Sequence, residues 1–302
     1  MVGCGYVGSR LAGRLMGRRS VLALLRAGPR ADLLETRGVN VLRIDLDSVL
    51  AGGSLERAAG ADIVYLVPPP GRGEDDPRLA RFLSALDDGW RPRCVLYMST
   101  TGVYGDRRGG RVDEATVPEP GNDRSRRRLA AERCVQAWCT ERGSRPALLR
   151  VPGIYGPQRL PLQRLLRGEP LLRPEDAGPG NRIHVDDLVA ACEAVLEGPV
   201  DGVVNVCDGD HRSTTEFMQE LARQAGLPPP RLVGLDAARE SISPGMLAFL
   251  AESRVVESRR MTGELGLGLL HPRFESGIRA SLAEAGDGRA AEAAGQHRSG
   301  PG

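Results

Sequence analysis

The chain has 302 residues, a formal net charge of +2 and 41% hydrophobic residues. No apolar run is long enough to cross a bilayer, and nothing at the N-terminus resembles a signal peptide. The basic residues are spread along the chain and do not gather with aromatic residues, so no nucleic-acid partner is expected. We expect a soluble cytoplasmic protein that acts on a small molecule and has no membrane partner.

The basic residues are all arginine, because the sequence contains no lysine. Schiff-base lysines and lysine-assisted proton transfer are therefore excluded. The six cysteines form neither a C-x-x-C pair nor a cluster with histidine at metal-ligand spacing. We expect reduced, mostly buried thiols and no metal site.

The chain opens with a glycine-rich turn. Gly3, Gly5 and Gly8 fit the G-x-G-x-x-G spacing of a dinucleotide-binding turn, with Tyr6 and Val7 inside it. A helix is predicted after the turn, and Ser9 is placed to cap it.

Short apolar strands then alternate with helical stretches. Helices are predicted over 76–87, 125–140 and 187–197, and strands over SVLALLR, VNVLRID, DIVYLV, RCVLYMS, PALLRV and GVVNVC. This alternation predicts an α/β fold, a doubly wound parallel sheet with helices on both faces.

Three residues at strand ends extend the candidate cofactor site. Arg26 ends the strand after the glycine turn, where an acid would bind the ribose of NAD; an arginine there favours the 2′-phosphate of NADP. Asp45 ends the next strand and is placed to accept from the adenine amino group, or to cap a helix. Pro68, in LVPPP, lies where the backbone would pass the cofactor. We expect NADP(H) as the preferred cofactor, with NAD(H) as the alternative.

Four stretches together carry a family resemblance: GCGYVGSRLA, MSTTGVYGD, LLRVPGIYGPQRL and NRIHVDDLVAA. The chain resembles an atypical extended short-chain dehydrogenase/reductase of the NAD-dependent epimerase/dehydratase type. The resemblance implies a Rossmann sheet and a small C-terminal substrate lobe in one unit, residues 1–283, followed by a disordered tail, 284–302. The Rossmann part is expected mainly in 1–157 and 181–208, and the lobe in 158–180 and 209–283.

The resemblance also implies a Ser/Thr, a Tyr and, four residues after the Tyr, a Lys that carry catalysis. Thr100 matches the hydroxyl position, although it is also placed to bond backbone at a strand end. Arg124 stands where the tyrosine belongs and Arg128 where the lysine belongs, and an arginine cannot exchange protons near neutral pH. Arg128 is still able to hold a ribose hydroxyl. Tyr104 and Tyr155 are candidate substitutes for the missing phenol, or they pack their loops.

NRIHVDDL resembles the substrate-contacting segment of the family. Arg182 would pair with an anionic group of the substrate, and His184 would orient the lobe. In the alternative interpretation, the acids that follow open a helix and His184 is a satisfied strand residue.

A buried strand normally precedes such a glycine turn, yet only Met1 and Val2 do so here. Each buried backbone group left unpaired costs ~1–3 kcal/mol, against a total stability of ~5–15 kcal/mol. We therefore hypothesise that the natural chain begins several residues upstream.

Three functions remain open. The first is an NADP(H)-dependent oxidoreductase acting on a small carbonyl or hydroxyl compound. The second is a nucleotide-sugar epimerase or dehydratase, which depends on Arg182 meeting a diphosphate. The third is a non-catalytic module that senses NADP. A homodimer formed through the helix that contains Arg124 is also expected.

Overall fold

A parallel sheet forms the centre of the computed structural model, which describes residues 1–48, 50, 55–58, 60–86, 88–241 and 253–296. The six predicted strands are all present. They are β1 (Leu22–Leu25), β2 (Asn40–Arg43), β3 (Ile63–Tyr65), β4 (Cys94–Thr100), β6 (Arg145–Val151) and β10 (Gly202–Asn205).

The strand order is that of a doubly wound sheet. β10, β6, β4 and β3 are neighbours on one side, and β1 and β2 pair on the other. Val2 joins the two parts, because it forms parallel bridges with Leu24 of β1 and Tyr65 of β3. The crevice at the carboxyl ends of the strands is where such sheets bind ligands.

Met1–Gly3 form a very short central strand. The Val2 amide donates to the Val64 carbonyl at 2.8 Å, and the Leu24 amide donates to the Met1 carbonyl at 2.7 Å. These residues therefore form backbone hydrogen bonds with both neighbouring strands, β1 and β3. Fewer backbone groups are left unpaired than the sequence led us to expect. Behind them lies a groove of about 540 Å³ whose lining includes Leu22, Val64 and Phe82. Burial lowers the pKa of the Met1 ammonium to about 6.

Helices cover both faces of the sheet. Alternate residues of each strand point to opposite faces: Val64 packs in one apolar cluster, and Tyr65 in the other. The helices are α1 (Tyr6–Leu15), α2 (Pro29–Thr36), α3 (Pro77–Ser84), α4 (Asp123–Arg142) and α6 (Val185–Glu197). The predicted helices are thus confirmed, with shifted ends.

The start of α1 differs from the expectation. The helix begins at Tyr6, directly after Gly5, so Ser9 lies inside it and is not its cap. The Ser9 hydroxyl donates to the Cys4 carbonyl at 3.0 Å instead. The turn is therefore tighter than the capping pattern predicted, with Tyr6 and Val7 in the first turn of the helix.

The remaining strands are short and pair in twos outside the central sheet. These strands are β5 (Arg111–Val112), β7 (Gly153–Tyr155), β8 (Leu171–Leu172), β9 (Arg182–His184), β11 (Leu232–Val233) and β12 (Val255–Val256), and β5 pairs with β12, β7 with β9, and β8 with β11, all in parallel. The other helices are α5 (Leu162–Leu166), α7 (Thr214–Gln224), α8 (Leu235–Ser241), α9 (Arg259–Gly263) and α10 (Phe274–Gln296). Tyr155, Phe217 and Phe274 form the aromatic core of the lobe.

The C-terminal segment differs from the predicted disordered tail. α10 continues through Gln296, so residues 284–296 are helical. This stretch is rich in alanine, which has the highest helix propensity. Residues 297–302 of the predicted tail, and 242–252 of the predicted lobe, lie outside the described residues. Within the described part of the chain, no helix combines the length and apolar character needed to span a membrane.

A test of the short central strand is to lengthen it. Four apolar β-branched residues added before Met1 are expected to raise the free energy of unfolding by about 2–4 kcal/mol, because they bury apolar surface in the groove and continue the ladders. Chemical denaturation measures the change. A Gly-Ser extension of equal length is the control, and equal stabilisation by both extensions would contradict the prediction.

Candidate active site

The glycine turn requires glycine at two positions for lack of space. Gly3 has φ +84°, and a Cβ on it would lie 2.6 Å from Val67 Cγ2. A Cβ on Gly8 would lie 2.9 Å from the Gly3 carbonyl oxygen, so α1 packs closely on the turn. Gly5 meets nothing within 4 Å, which leaves backbone open to a ligand at the N-terminus of α1. Free amides at a helix start favour phosphate.

A cavity of about 460 Å³ runs from this turn along the carboxyl ends of β1 and β2. We call it the adenosine cleft. It brings together most of the predicted cofactor residues: Gly3, Gly5, Arg26, Asp45 and Pro68. Val7 lies on the buried face of α1, and the Tyr6 hydroxyl donates to the Pro157 carbonyl at 2.8 Å, so these two support the turn.

The acids of the adenosine cleft are already engaged. Asp47 accepts two bonds from Arg78, at 2.6 and 2.7 Å, and this hydrogen bonding lowers its pKa. Asp45 accepts from the Asp47 amide at 3.0 Å, which fixes the turn after β2. Both carboxylates therefore shape the cleft wall.

Two arginines of the same cleft are exposed. Arg26 follows β1, and Arg30 lies in the first turn of α2. Neither side chain makes an ion pair or hydrogen bond with a residue that the structure describes. Arg30 is not among the cofactor residues predicted from the sequence. The Gly28–Pro29 pair signals the helix start that places Arg30 beside Arg26.

A second cavity, of about 430 Å³, lies at the carboxyl ends of β4 and β6. We call it the arginine cleft. Thr100 and Gly102 line one wall, and Arg124, Arg159 and Arg254 also line the cavity, whereas no aspartate or glutamate is among its described lining residues.

Thr100 is the predicted catalytic residue that reaches this cleft. Its Oγ1 accepts from the Gly102 amide at 3.2 Å, so the hydroxyl hydrogen can still be donated to a ligand. Arg128 lies deeper and does not line the cleft. It donates to the Met98 carbonyl at 2.8 Å and to the Tyr97 hydroxyl at 3.1 Å, so one nitrogen is committed to β4.

Neither candidate tyrosine reaches the cleft. Tyr104 is fully buried and donates to Asn205 Oδ1 at 2.8 Å, with the Arg150 guanidinium 4.8 Å from its ring centroid. Tyr155 is 4% exposed and packs edge-on against His184 and Phe217. Burial raises the pKa of both phenols. They therefore correspond to the packing alternative, and neither is placed to exchange a proton with a ligand.

The two predicted substrate residues are also buried. Arg182 lies between the rings of Phe217 and Phe274 and donates to the Arg212 carbonyl at 2.9 Å. His184 is fully buried, caps α6 by accepting from the Asp186 amide at 3.2 Å, and bonds Ser281 at 3.1 Å. Both residues hold the lobe against the sheet, and neither lines the arginine cleft.

A histidine cluster sits at the start of α6. Ligand atoms of His184, Asp186 and His271 lie within 4.8 Å of one another. Arg10 pairs with Asp186 at 3.2 Å, and the positive end of α6 also lies here. Both oppose a further cation, so we assign no metal to the cluster.

Asp208 is a buried acid beneath the lobe. One of its oxygens accepts from the Asp210 amide at 3.0 Å, and the other has no partner among the described residues. Burial raises the pKa of this carboxyl to about 8. Burial therefore favours the protonated form of this carboxyl in the folded protein.

Asp208 predicts a pH dependence of stability. An acid whose pKa is raised on folding stabilises the folded state at low pH, and this contribution is lost as the pH rises from about 4 to about 8. Asp208→Asn keeps the shape without the charge, so the stability of this variant relative to the parent should increase across that range. Urea titrations at several pH values measure it. A constant difference would contradict the prediction.

The fold and the glycine turn define a dinucleotide-binding Rossmann protein. Residues 2–207 match the model of the NAD dependent epimerase/dehydratase family, and the chain belongs to this family.

Known proteins support this membership over most of the chain. Protein YeeZ of Escherichia coli (strain K12) is 26% identical over 281 residues, which cover 90% of this chain and 95% of that protein. A conserved protein of unknown function from Silicibacter pomeroyi is 29% identical, with a TM-score of 0.79 over 94% of this chain and 97% of that one. The UDP-glucuronic acid 4-epimerase from Bacillus cereus, solved with NAD, has a TM-score of 0.75 at 17% identity over 95% and 97%. The last similarity concerns the fold alone.

Proposed function

We propose that the protein is an NADP(H)-dependent oxidoreductase that acts on a small carbonyl or hydroxyl compound. The proposal has two parts: the adenosine cleft favours NADP(H), and the reaction proceeds beside Thr100 without a catalytic tyrosine.

The pair Arg26 and Arg30 carries the cofactor proposal. Both guanidinium groups lie at the end of β1, where the ribose of the adenosine half is bound in such sheets. Neither makes an ion pair with a described carboxylate, since Asp47 of the same cleft pairs with Arg78, and the N-terminus of α2 adds its positive end. A 2′-phosphate dianion would bind to both guanidinium groups and to the helix N-terminus, whereas the neutral ribose hydroxyl of NAD would bind to each of them more weakly.

The residues around the crevice fit the rest of a dinucleotide. The open backbone at Gly5 and the start of α1 would receive the pyrophosphate. The arginine cleft would then receive the nicotinamide and the substrate, since it lies at the ends of the strands of the other half of the sheet. When bound, the cofactor supplies or accepts a hydride.

The chain's own residues orient the reacting oxygen. The Thr100 hydroxyl donates to it, and Arg124, on the same cleft, offers a fixed positive charge to an oxygen that gains negative charge. An arginine holds its proton throughout, so the proton of the product alcohol comes from solvent in this proposal.

The alternatives are less well supported. A nucleotide-sugar epimerase or dehydratase depended on Arg182 meeting a diphosphate, and Arg182 is buried between two phenylalanine rings. A non-catalytic NADP sensor shares the same cofactor site, so turnover separates it from the oxidoreductase. The small-molecule partner, the cytoplasmic location and the homodimer stay proposals, as does the absence of nucleic-acid and membrane partners.

Cofactor preference is tested by calorimetric titration with NADPH and NADH. We expect NADPH to bind more tightly, and Arg26→Ala or Arg30→Ala to weaken NADPH binding about 10- to 100-fold, with little effect on NADH, because each removes charged hydrogen bonds worth about 1.5–3 kcal/mol. Arg37→Ala, beyond the other end of α2, is the matched control. Equal binding of the two cofactors would overturn the NADP proposal.

Turnover is tested with a panel of aldehydes, ketones and hydroxy compounds in the presence of NADPH or NADP. Thr100→Val is expected to lower kcat at least tenfold without changing NADPH affinity, since it removes a donor to the reacting oxygen. Tight NADPH binding without turnover of any compound would favour the sensor.

A further inference from the structure

We infer that the arginine cleft binds a substrate carrying its own oxyanion group, a carboxylate or a phosphate, and that Arg124 holds this group. The inference deepens the proposed function, on which it rests, by naming the chemical class of the substrate.

The charge of the cleft is one-sided. Three arginines and no described acid line a cavity of about 430 Å³, a size that suits a small-molecule ligand. A concave site of one charge sign focuses the field and attracts ligands of the opposite charge. The lining by itself therefore favours an anionic ligand over a neutral one.

The three arginines differ in what their side chains already contact. Arg254 donates to the Gly105 carbonyl at 2.6 Å, so it is tied to the loop after β4. Arg159 lies over the Tyr6 ring, with its guanidinium carbon 4.6 Å from the ring centroid, close to the start of α1. This position suits the cofactor pyrophosphate better than the substrate.

Arg124 remains available for the substrate. It lies in the first turn of α4, is exposed, and makes no ion pair or hydrogen bond within the described ranges. Its neighbour Asp123 pairs with Arg126 at 2.7 Å and therefore does not neutralise it.

A further hydroxyl lies in the same space. Ser125 is beside Gly102 on the cleft wall, whereas Thr100 is kept for the reacting oxygen. A guanidinium binds carboxylate and phosphate oxygens with two parallel hydrogen bonds, and hydroxyl donors complete the shell. The substrate in this arrangement is a small acid or phosphate ester that also carries the reacting carbonyl or hydroxyl.

The test is calorimetric titration of the NADPH-saturated protein with malonate and, separately, with inorganic phosphate. Saturation with NADPH fills the phosphate sites of the cofactor, so the remaining anion site is the one measured. We expect one or both anions to bind, and Arg124→Gln to weaken that binding at least about tenfold. Arg133→Gln, which alters an exposed arginine further along the same helix and outside the cleft lining, should leave it unchanged.

Two results would overturn the inference: binding of neither anion by the parent protein, or equal affinity of the parent and Arg124→Gln. NADPH titrations of the same proteins separate this failure from that of the proposed function. NADPH binding without anion binding rejects only the anionic substrate. If NADPH does not bind, the cofactor proposal fails, and the same comparison of parent and Arg124→Gln without NADPH decides the anion site.

Discussion

The backbone hydrogen bonds of Met1–Gly3 hold the two halves of the sheet together. β1 and β2 contact β3 and its neighbours through this three-residue stretch, which bonds to Leu24 on one side and Val64 on the other. The same stretch ends in Gly3, whose positive φ turns the chain into α1. The sheet, the glycine turn and the adenosine cleft therefore depend on a few bonds of Met1–Gly3, which border a groove of about 540 Å³.

Arginine performs several unrelated tasks because the chain has no lysine. In the core, Arg150 and Glu132 form a buried ion pair at 2.7 Å, and Ser99 donates to the same carboxylate. Such a pair is strongly destabilising to break, because the partner left behind is a buried charge. The guanidinium groups of Arg182 and Arg128 donate hydrogen bonds to backbone carbonyls. Sequence position alone does not separate these structural arginines from those facing a cleft.

The two clefts differ in the groups that line them. The adenosine cleft combines the glycine turn with Arg26 and Arg30, which are exposed, and with the acids Asp45 and Asp47. At the ends of β4 and β6, by contrast, the described titratable groups that line the cavity are arginines. Arg124 can bind and polarise but cannot exchange a proton near neutral pH, so any reaction here takes its proton from elsewhere.

The fold class, the strands and most of the residues of the adenosine cleft are predictable from the sequence. Apolar runs of strand length, separated by helical stretches, have few other ways to bury their surface, and Gly3, Gly5 and Gly8 have a local geometric role that spacing reveals. Arg26, Asp45 and Pro68 were found because carboxyl ends of parallel strands meet at one edge. The burial of Tyr104, Tyr155, Arg182 and His184 is not predictable in this way, because whether a side chain faces a cleft or a core depends on how distant elements pack. The packing of distant elements also places Arg30 on the same cleft as Arg26 and leaves Arg124 on the wall of an open cavity, and local sequence spacing predicts neither position.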